Sequence, residues 1–118
     1  MKYMLLIYDN ADTRTRFSGD AALMAEMDAL MAELTETGEL IGGEGLADPA
    51  QTRSIRPRDG VPVVTDAPLA EAKEHFGGYL LLDCESLERA TEIALRWPNA
   101  RIGALELRPV MTEAGTEM

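Results

Sequence analysis

A chain of 118 residues with 46% hydrophobic and 27% charged side chains is long enough for one domain with its own core, without disulfides or metals. Its formal charge of −10, from 21 acidic against 11 basic residues, argues against nucleic acid and anionic membranes as partners, although a few arginines could still converge on a small anion. The single cysteine, Cys84, leaves no disulfide within the chain and fits a reducing cytoplasm.

Residues 2–8 form a continuous apolar run closed by Asp9-Asn10. They predict an opening β-strand, too short for a signal peptide or a membrane span. Residues 10–19 are polar and contain Ser and Gly, the composition of a loop. Leu23, Met27, Leu30, Met31 and Leu34 then recur at spacings of three and four, one face of a helix over about 20–37, with Gly38 as its left-handed stop. Leu40–Leu46, with Gly42, Gly43 and Gly45, predicts a second strand that is bulged or closely approached by another backbone.

Residues 52–56 and 61–65 read as paired strands joined around Pro57-Arg58-Asp59-Gly60, an Asp-Gly hairpin turn. The run from Tyr79 to Cys84 is the most apolar strand. Ser86 caps a helix over 87–97 with Leu87, Ala90, Ala94 and Trp97 as its buried stripe, and Pro98 marks its end. A last strand is expected over Ile102–Val110. The domain spans 1–111, and 112–118 reads as a flexible tail.

The order β-α-β, hairpin, β-α-β is the ferredoxin-like α+β layout, with two helices on one face of an antiparallel sheet. Strands apolar on both sides leave the other face in need of cover, so a homodimer is expected.

Five segments, taken together and in order, carry a family resemblance: Met1–Tyr8, Gly42-Gly43-Glu44-Gly45-Leu46, Thr65–Glu74, Gly77-Gly78-Tyr79 and Glu106-Leu107-Arg108-Pro109-Val110. The chain resembles the YCII-related superfamily, in particular its DGPF branch, whose naming motif reads Asp66-Ala67-Pro68-Leu69 here. Two of those four residues differ, with Ala67 for Gly and Leu69 for Phe. The resemblance implies a ferredoxin-like domain that dimerises into an α+β barrel-like pair, in the bacterial cytoplasm. It also implies an undefined molecular activity, and, because relatives are often encoded beside extracytoplasmic-function sigma factors, an accessory role near transcriptional control as one alternative. Some relatives are thought to use a His–Asp pair on the first helix. The corresponding places fall near Ala25 and Glu36, and that helix holds no histidine, so the pair does not carry over.

Chemistry must then come from elsewhere. Asp66, two residues before Pro68, is explained most simply as a turn-capping carboxylate; the functional alternative makes it an acid or base at a pocket rim. His75 would share a helical face with Glu71 if 69–75 were helical, and a carboxylate beside an imidazole makes a proton-transfer pair near neutral pH. Arg53 and Arg108 on strands need anionic partners, either carboxylates of the protein or a small carboxylate or phenolate ligand. Tyr3, Tyr8 and Tyr79 could line such a pocket or simply fill the core.

One His and one Cys do not make a zinc site, and no cofactor is expected. The leading expectation is a small-organic-ligand pocket near residues 65–79, bounded by Tyr3, Arg53, Tyr79 and Arg108. The rival is a small proton-transfer or lyase-type enzyme using Asp66 and His75, with Arg108 holding an anion.

Overall fold

The structure is a computed structural model and describes residues 1–69 and 73–111. The expectations for 112–118 and for Glu71 lie outside that range. Four strands form one antiparallel sheet: β1 (Lys2–Asp9), β2 (Leu40–Gly45), β5 (His75–Asp83) and β6 (Ala104–Pro109), in the order β2-β5-β1-β6. Between β2 and β5 the chain makes a separate hairpin, β3 (Ser54–Arg58) and β4 (Val61–Thr65). Helix α2 (Ala21–Thr37) links β1 to β2, and α3 (Leu87–Arg96) links β5 to β6. Without the hairpin this is the ferredoxin-like α+β fold.

The period-2 alternation of the strands decides which residues meet the helices. Tyr3 and Leu5 of β1, opposite Leu82 and Leu80 of β5, point to the helix side and are buried. Leu30 and Leu34 of α2 and Ala90 and Ile93 of α3 close over them, with Trp97 and Cys84 completing the cluster. Truncating a fully enclosed residue such as Leu5 or Leu82 to alanine removes its packing and leaves a hole, at a cost of about 2–5 kcal/mol. Burial pushes the Cys84 thiol up, so it stays protonated and inert in this core.

Helix ends follow the capping rules. The Asp20 carboxylate accepts from the backbone N–H groups of Ala22 and Leu23 at 2.9 and 3.1 Å, and Gly38 ends α2 at φ 81°. Ser86 Oγ accepts from Arg89 N–H at 3.1 Å to start α3. In the hairpin, Asp59 and Gly60 both lie at positive φ, 51° and 80°, as a two-residue turn matched to strand twist requires.

Several expectations are corrected. Residues 11–19 are helical, not a loop: α1 (Ala11–Gly19) begins at Asn10, whose Oδ1 accepts from Thr13 N–H and Oγ1. Thr13 is buried and shares its one hydroxyl hydrogen between Asn10 Oδ1 and the Ile102 carbonyl, the latter at 3.4 Å, so one polar anchor replaces the missing apolar stripe. Leu87 is half exposed, and the buried face of α3 runs through Ala90, Ile93 and Trp97 instead. After Pro98 the chain makes a further helical turn, α4 (Asn99–Ile102), so the last strand starts at Ala104 rather than Ile102. Strand β5 starts at His75, four residues before the expected Tyr79, and His75 is therefore not helical.

Candidate functional site

Glycines open a cleft beneath the helices. On the helix side of the sheet, Gly43 stands opposite Leu80, and Gly45 stands opposite Gly78, which in turn faces Ile7. Two adjacent strands thus carry no side chains where α1 and α2 pass above, and a cavity of about 740 Å³ results. Close backbone approach enforces part of this. A Cβ on Gly43 would sit 2.8 Å from the Tyr79 carbonyl oxygen, and one on Gly78 would sit 2.8 Å from that of Glu44. At Gly45, by contrast, a Cβ would meet nothing within 4 Å; it would project into open space.

The walls are apolar: Ile7, Phe17, Met27, Met31 and Leu40 are partly buried, and Met24 is exposed at the opening. Leu80, Trp97 and Asn99, which are buried, line the cleft with Gly78. Asn99 donates its amide to the Tyr8 carbonyl at 3.1 Å, holding α4 against β1.

At the rim sits an ion pair. Arg14 Nη1 donates to Asp9 Oδ1 at 2.8 Å, and Arg14 Nε lies 3.9 Å from Asp48 Oδ2. Both Asp9 and Arg14 are partly buried, where a charge-assisted bond is stronger than on open surface. Three local features place them. Asp9 ends β1 on the helix side; Arg14 lies one turn into α1; and a β-bulge, with Gly77 as the extra residue of β5, makes room for the carboxylate. A side chain at Gly77 would run into the Asp9 carboxylate. Asp9 is also directly opposite His75 in the strand register, with no hydrogen bond between their side chains.

The residues expected from sequence fall in different places. Tyr3 is 4% exposed in the core, with its hydroxyl directed to the Met1 sulfur at 3.9 Å, so it lines no pocket. Arg53 and Asp66 pair with each other at 3.1 Å and are 76% and 82% exposed, an exchange worth little in water. Asp66 accepts no backbone N–H among the described residues. The turn is tied instead by Ser54 Oγ donating to the Ala67 carbonyl. Ala67 itself lies outside the positive-φ region, so the alanine there causes no backbone strain.

Arg53 and His75 border a second hollow of about 720 Å³ beside Pro68, Leu69 and Phe76. Tyr79 borders the main cleft through its backbone, while its side chain lies on the opposite face of the sheet with Leu6, so the expected ligand contact is not made from this side chain. Arg108 stands opposite Met4 on β6, whereas His75 stands opposite Asp9 on β5. The two are thus five positions along the strands and two strands across, roughly 19 Å apart by strand spacing. Asp66, His75 and Arg108 do not converge in one chain. Among the described residues, no three His, Cys, Asp or Glu side chains gather where they could hold a metal ion.

Comparison with known proteins decides the family. The YCII-related domain model matches residues 1–114. The chain belongs to the YCII-related family. A relative in Rhizobium meliloti (strain 1021), the uncharacterized protein R00369, is 31% identical over 114 residues, covering 93% of this chain and 92% of the relative. Among solved structures, the 5-chloro-2-hydroxyhydroquinone dehydrochlorinase TftG of Burkholderia phenoliruptrix AC1100, in complex with 2,5-dihydroxybenzoquinone, superposes with a TM-score of 0.51 over 99% of this chain and 100% of its own. At 15% identity this is a likeness of fold.

Sequence reasoning missed Asp9 and Arg14 as cleft residues, whereas Trp97 lies in the core as its place in the helix stripe predicts. Asp9 reads as a strand terminator, and Arg14 falls in a stretch without apolar periodicity. The Gly-rich second strand was the available signal: close backbone approach was legible there, the cleft it leaves was not.

Proposed function

We propose that this YCII-related protein binds a small, largely apolar organic molecule in the cleft between the glycine-lined end of β2 and β5 and the helices α1 and α2. The carrying observation is the glycine row Gly43, Gly45 and Gly78 beneath Met27 and Met31, with the Asp9–Arg14 pair at the rim. Concave apolar lining with a few convergent polar groups is what small-molecule sites share. Arg14 is the group to meet an anionic or phenolic oxygen, since its guanidinium keeps donors beyond the one given to Asp9.

A thermal-shift screen of phenols and small aromatic carboxylates tests this. Stabilisation by at least one class in the native protein, lost in Gly45→Val, is the expected outcome. Stabilisation that survives Gly45→Val would move the site elsewhere.

A second reading, a proton-transfer or lyase-type activity, is favoured by Asp9 at the cleft's rim, with His75 of the neighbouring hollow opposite it in the strand register, and by the fold shared with a dehydrochlorinase. Asp9 or His75 would take a proton reversibly from carbon, leaving a carbanion whose electron pair then forms a double bond as the leaving group departs with the bonding pair. Asp66, exposed and held by Arg53, supports that role less. Exchange of substrate C–H for deuterium in the native protein, lost in Asp9→Asn, would favour the enzyme; binding without exchange would favour the ligand-binding module.

The protein works on this reading as a cytoplasmic homodimer. Met4, Leu6, Tyr8, Phe76, Tyr79 and Leu81 share the sheet face away from the helices, and the hairpin presents Ile55, Val64, Pro57 and Pro62 on one side. A free-standing two-stranded hairpin with such a face is marginal alone, so a partner copy is its natural cover.

A further inference from the structure

We infer that Asp9 is the specificity-determining acceptor of the cleft, and that the occupant is an un-ionised hydroxyl compound of the phenol or enol class, not a carboxylate. This rests on the cleft being the ligand site. Only one Asp9 carboxylate oxygen is spent: Oδ1 accepts from Arg14 Nη1 at 2.8 Å, while Oδ2 accepts no hydrogen bond among the described residues. That second oxygen is held over Gly77, which lines the cleft beside Asp9. Glu74 Oε2 and Trp97 Nε1 are also unpartnered, but they are sealed from solvent, whereas Asp9 Oδ2 is not. An ionised carboxylate oxygen only accepts, so a donor from outside the chain is what it can take.

Arg14 supplies the complementary half. Its guanidinium gives one N–H to Asp9, and Nε lies 3.9 Å from Asp48 Oδ2, beyond hydrogen-bond reach, so most of its donors are unspent. Donors and an acceptor thus stand side by side at one rim. A hydroxyl answers both at a single oxygen, donating its hydrogen to Asp9 and accepting an N–H from Arg14.

Charge separates the candidate classes. Among the described residues Arg14 is the one cation lining the cleft, against Asp9 and Glu44 in the lining and Asp48 alongside. A ligand carboxylate would meet Arg14 but set further negative acceptors against Asp9 Oδ2. An ammonium would answer Asp9 yet stand beside the guanidinium and leave its donors unmet. A ketone or ether accepts from Arg14 and gives Asp9 nothing. A phenol keeps its proton at neutral pH, as the tyrosine hydroxyl does. A site that hydrogen-bonds a ligand hydroxyl rejects the analogue lacking it more strongly than a plain pocket rejects a missing methylene.

A naphthalene series tests this: 2-naphthol, 2-methoxynaphthalene, 2-naphthoate and 2-naphthylmethylammonium share one apolar body and differ at the polar end. Binding to the native protein at neutral pH is followed by the Met27 and Met31 methyl resonances. The expected result is 2-naphthol bound about tenfold tighter than each of the other three. In Asp9→Asn the rim loses a negative charge and gains an amide donor, so 2-naphthoate is expected to gain on 2-naphthol until that preference disappears. An Asp9 that served structure alone would weaken all four probes alike in the variant. That result, or native protein binding any of the other three as tightly as 2-naphthol, would overturn the role of Asp9 while leaving the cleft as a ligand site. Should Asp9→Asn fail to fold, the order of the four probes in the native protein decides alone. No methyl shift at Met27 or Met31 with any probe at millimolar concentration would overturn both.

Discussion

Three glycines with different surroundings make the cleft testable residue by residue. Gly45→Val adds a side chain where a Cβ meets nothing within 4 Å, so stability should change by no more than about 0.5 kcal/mol while cleft volume is lost. Gly43→Val puts its Cβ 2.8 Å from a backbone oxygen and 3.0 Å from Leu80 Cδ2; strand separation must give way, at a cost of roughly 1–3 kcal/mol. Urea unfolding of the two variants checks the contrast. Similar losses in both would mean that neither glycine opens onto free space. None of this difference is visible in the string Gly42-Gly43-Glu44-Gly45, since it depends on which face each residue takes after the bulge between Leu40 and Gly42. Asp66 shows the opposite limit. Its turn position was legible, but the partner that claims its carboxylate, Arg53, lies across the base of the hairpin.

Among elements, those with apolar periodicity were legible and those held by polar anchors were not. Helix α2 announces itself through Leu23, Leu30 and Leu34, whereas α1 depends on Asn10, Thr13 and the distant Ile102 carbonyl. Charge ties the layers together. Arg89 of α3 grips Glu39, at the entry to β2, through Nε and Nη2 at 2.7 and 2.8 Å. That grip holds the Glu39 carboxyl below its ordinary value of 4.5, although burial opposes it.

A depressed folded-state pKa means that the unfolded chain binds the proton more readily. The pair therefore stabilises fully above about pH 4.5 and loses its contribution as pH falls through the lower folded value. Glu39→Gln is predicted to cost about 1–2 kcal/mol at pH 7 and to flatten the stability curve between neutral and acid pH. Chemical denaturation at pH 7 and pH 3.5 checks it; an equal loss at both would assign the effect to packing. Removing the α2 cap with Asp20→Ala should cost about 1 kcal/mol by the same assay, with no pH signature of the Glu39 kind.

The whole molecule is flat, 49 × 44 × 18 Å, because the β3–β4 hairpin stands off from the two-layer body. The expected ferredoxin-like order is legible from two β-α-β units. The hairpin's separation is not, because its residues pattern like any other strand pair. Exposed Ile55, Val61 and Val64 on this arm and Phe76 on the sheet lead to the predicted homodimer. Sedimentation should give twice the 12.9 kDa chain mass for the native protein and a shift toward monomer for Leu81→Glu on the open face. A native monomer would contradict it.

Of the seven methionines, those on α2 report on the cleft directly. Met27 and Met31 line the cleft, and Met4 lies on the opposite face of the sheet. In a methyl-NMR titration of the native protein with a phenol that raises its melting temperature, the Met27 and Met31 resonances are predicted to move with one common dissociation constant while Met4 stays still. Movement of Met4, with Met27 and Met31 unchanged, would contradict the account.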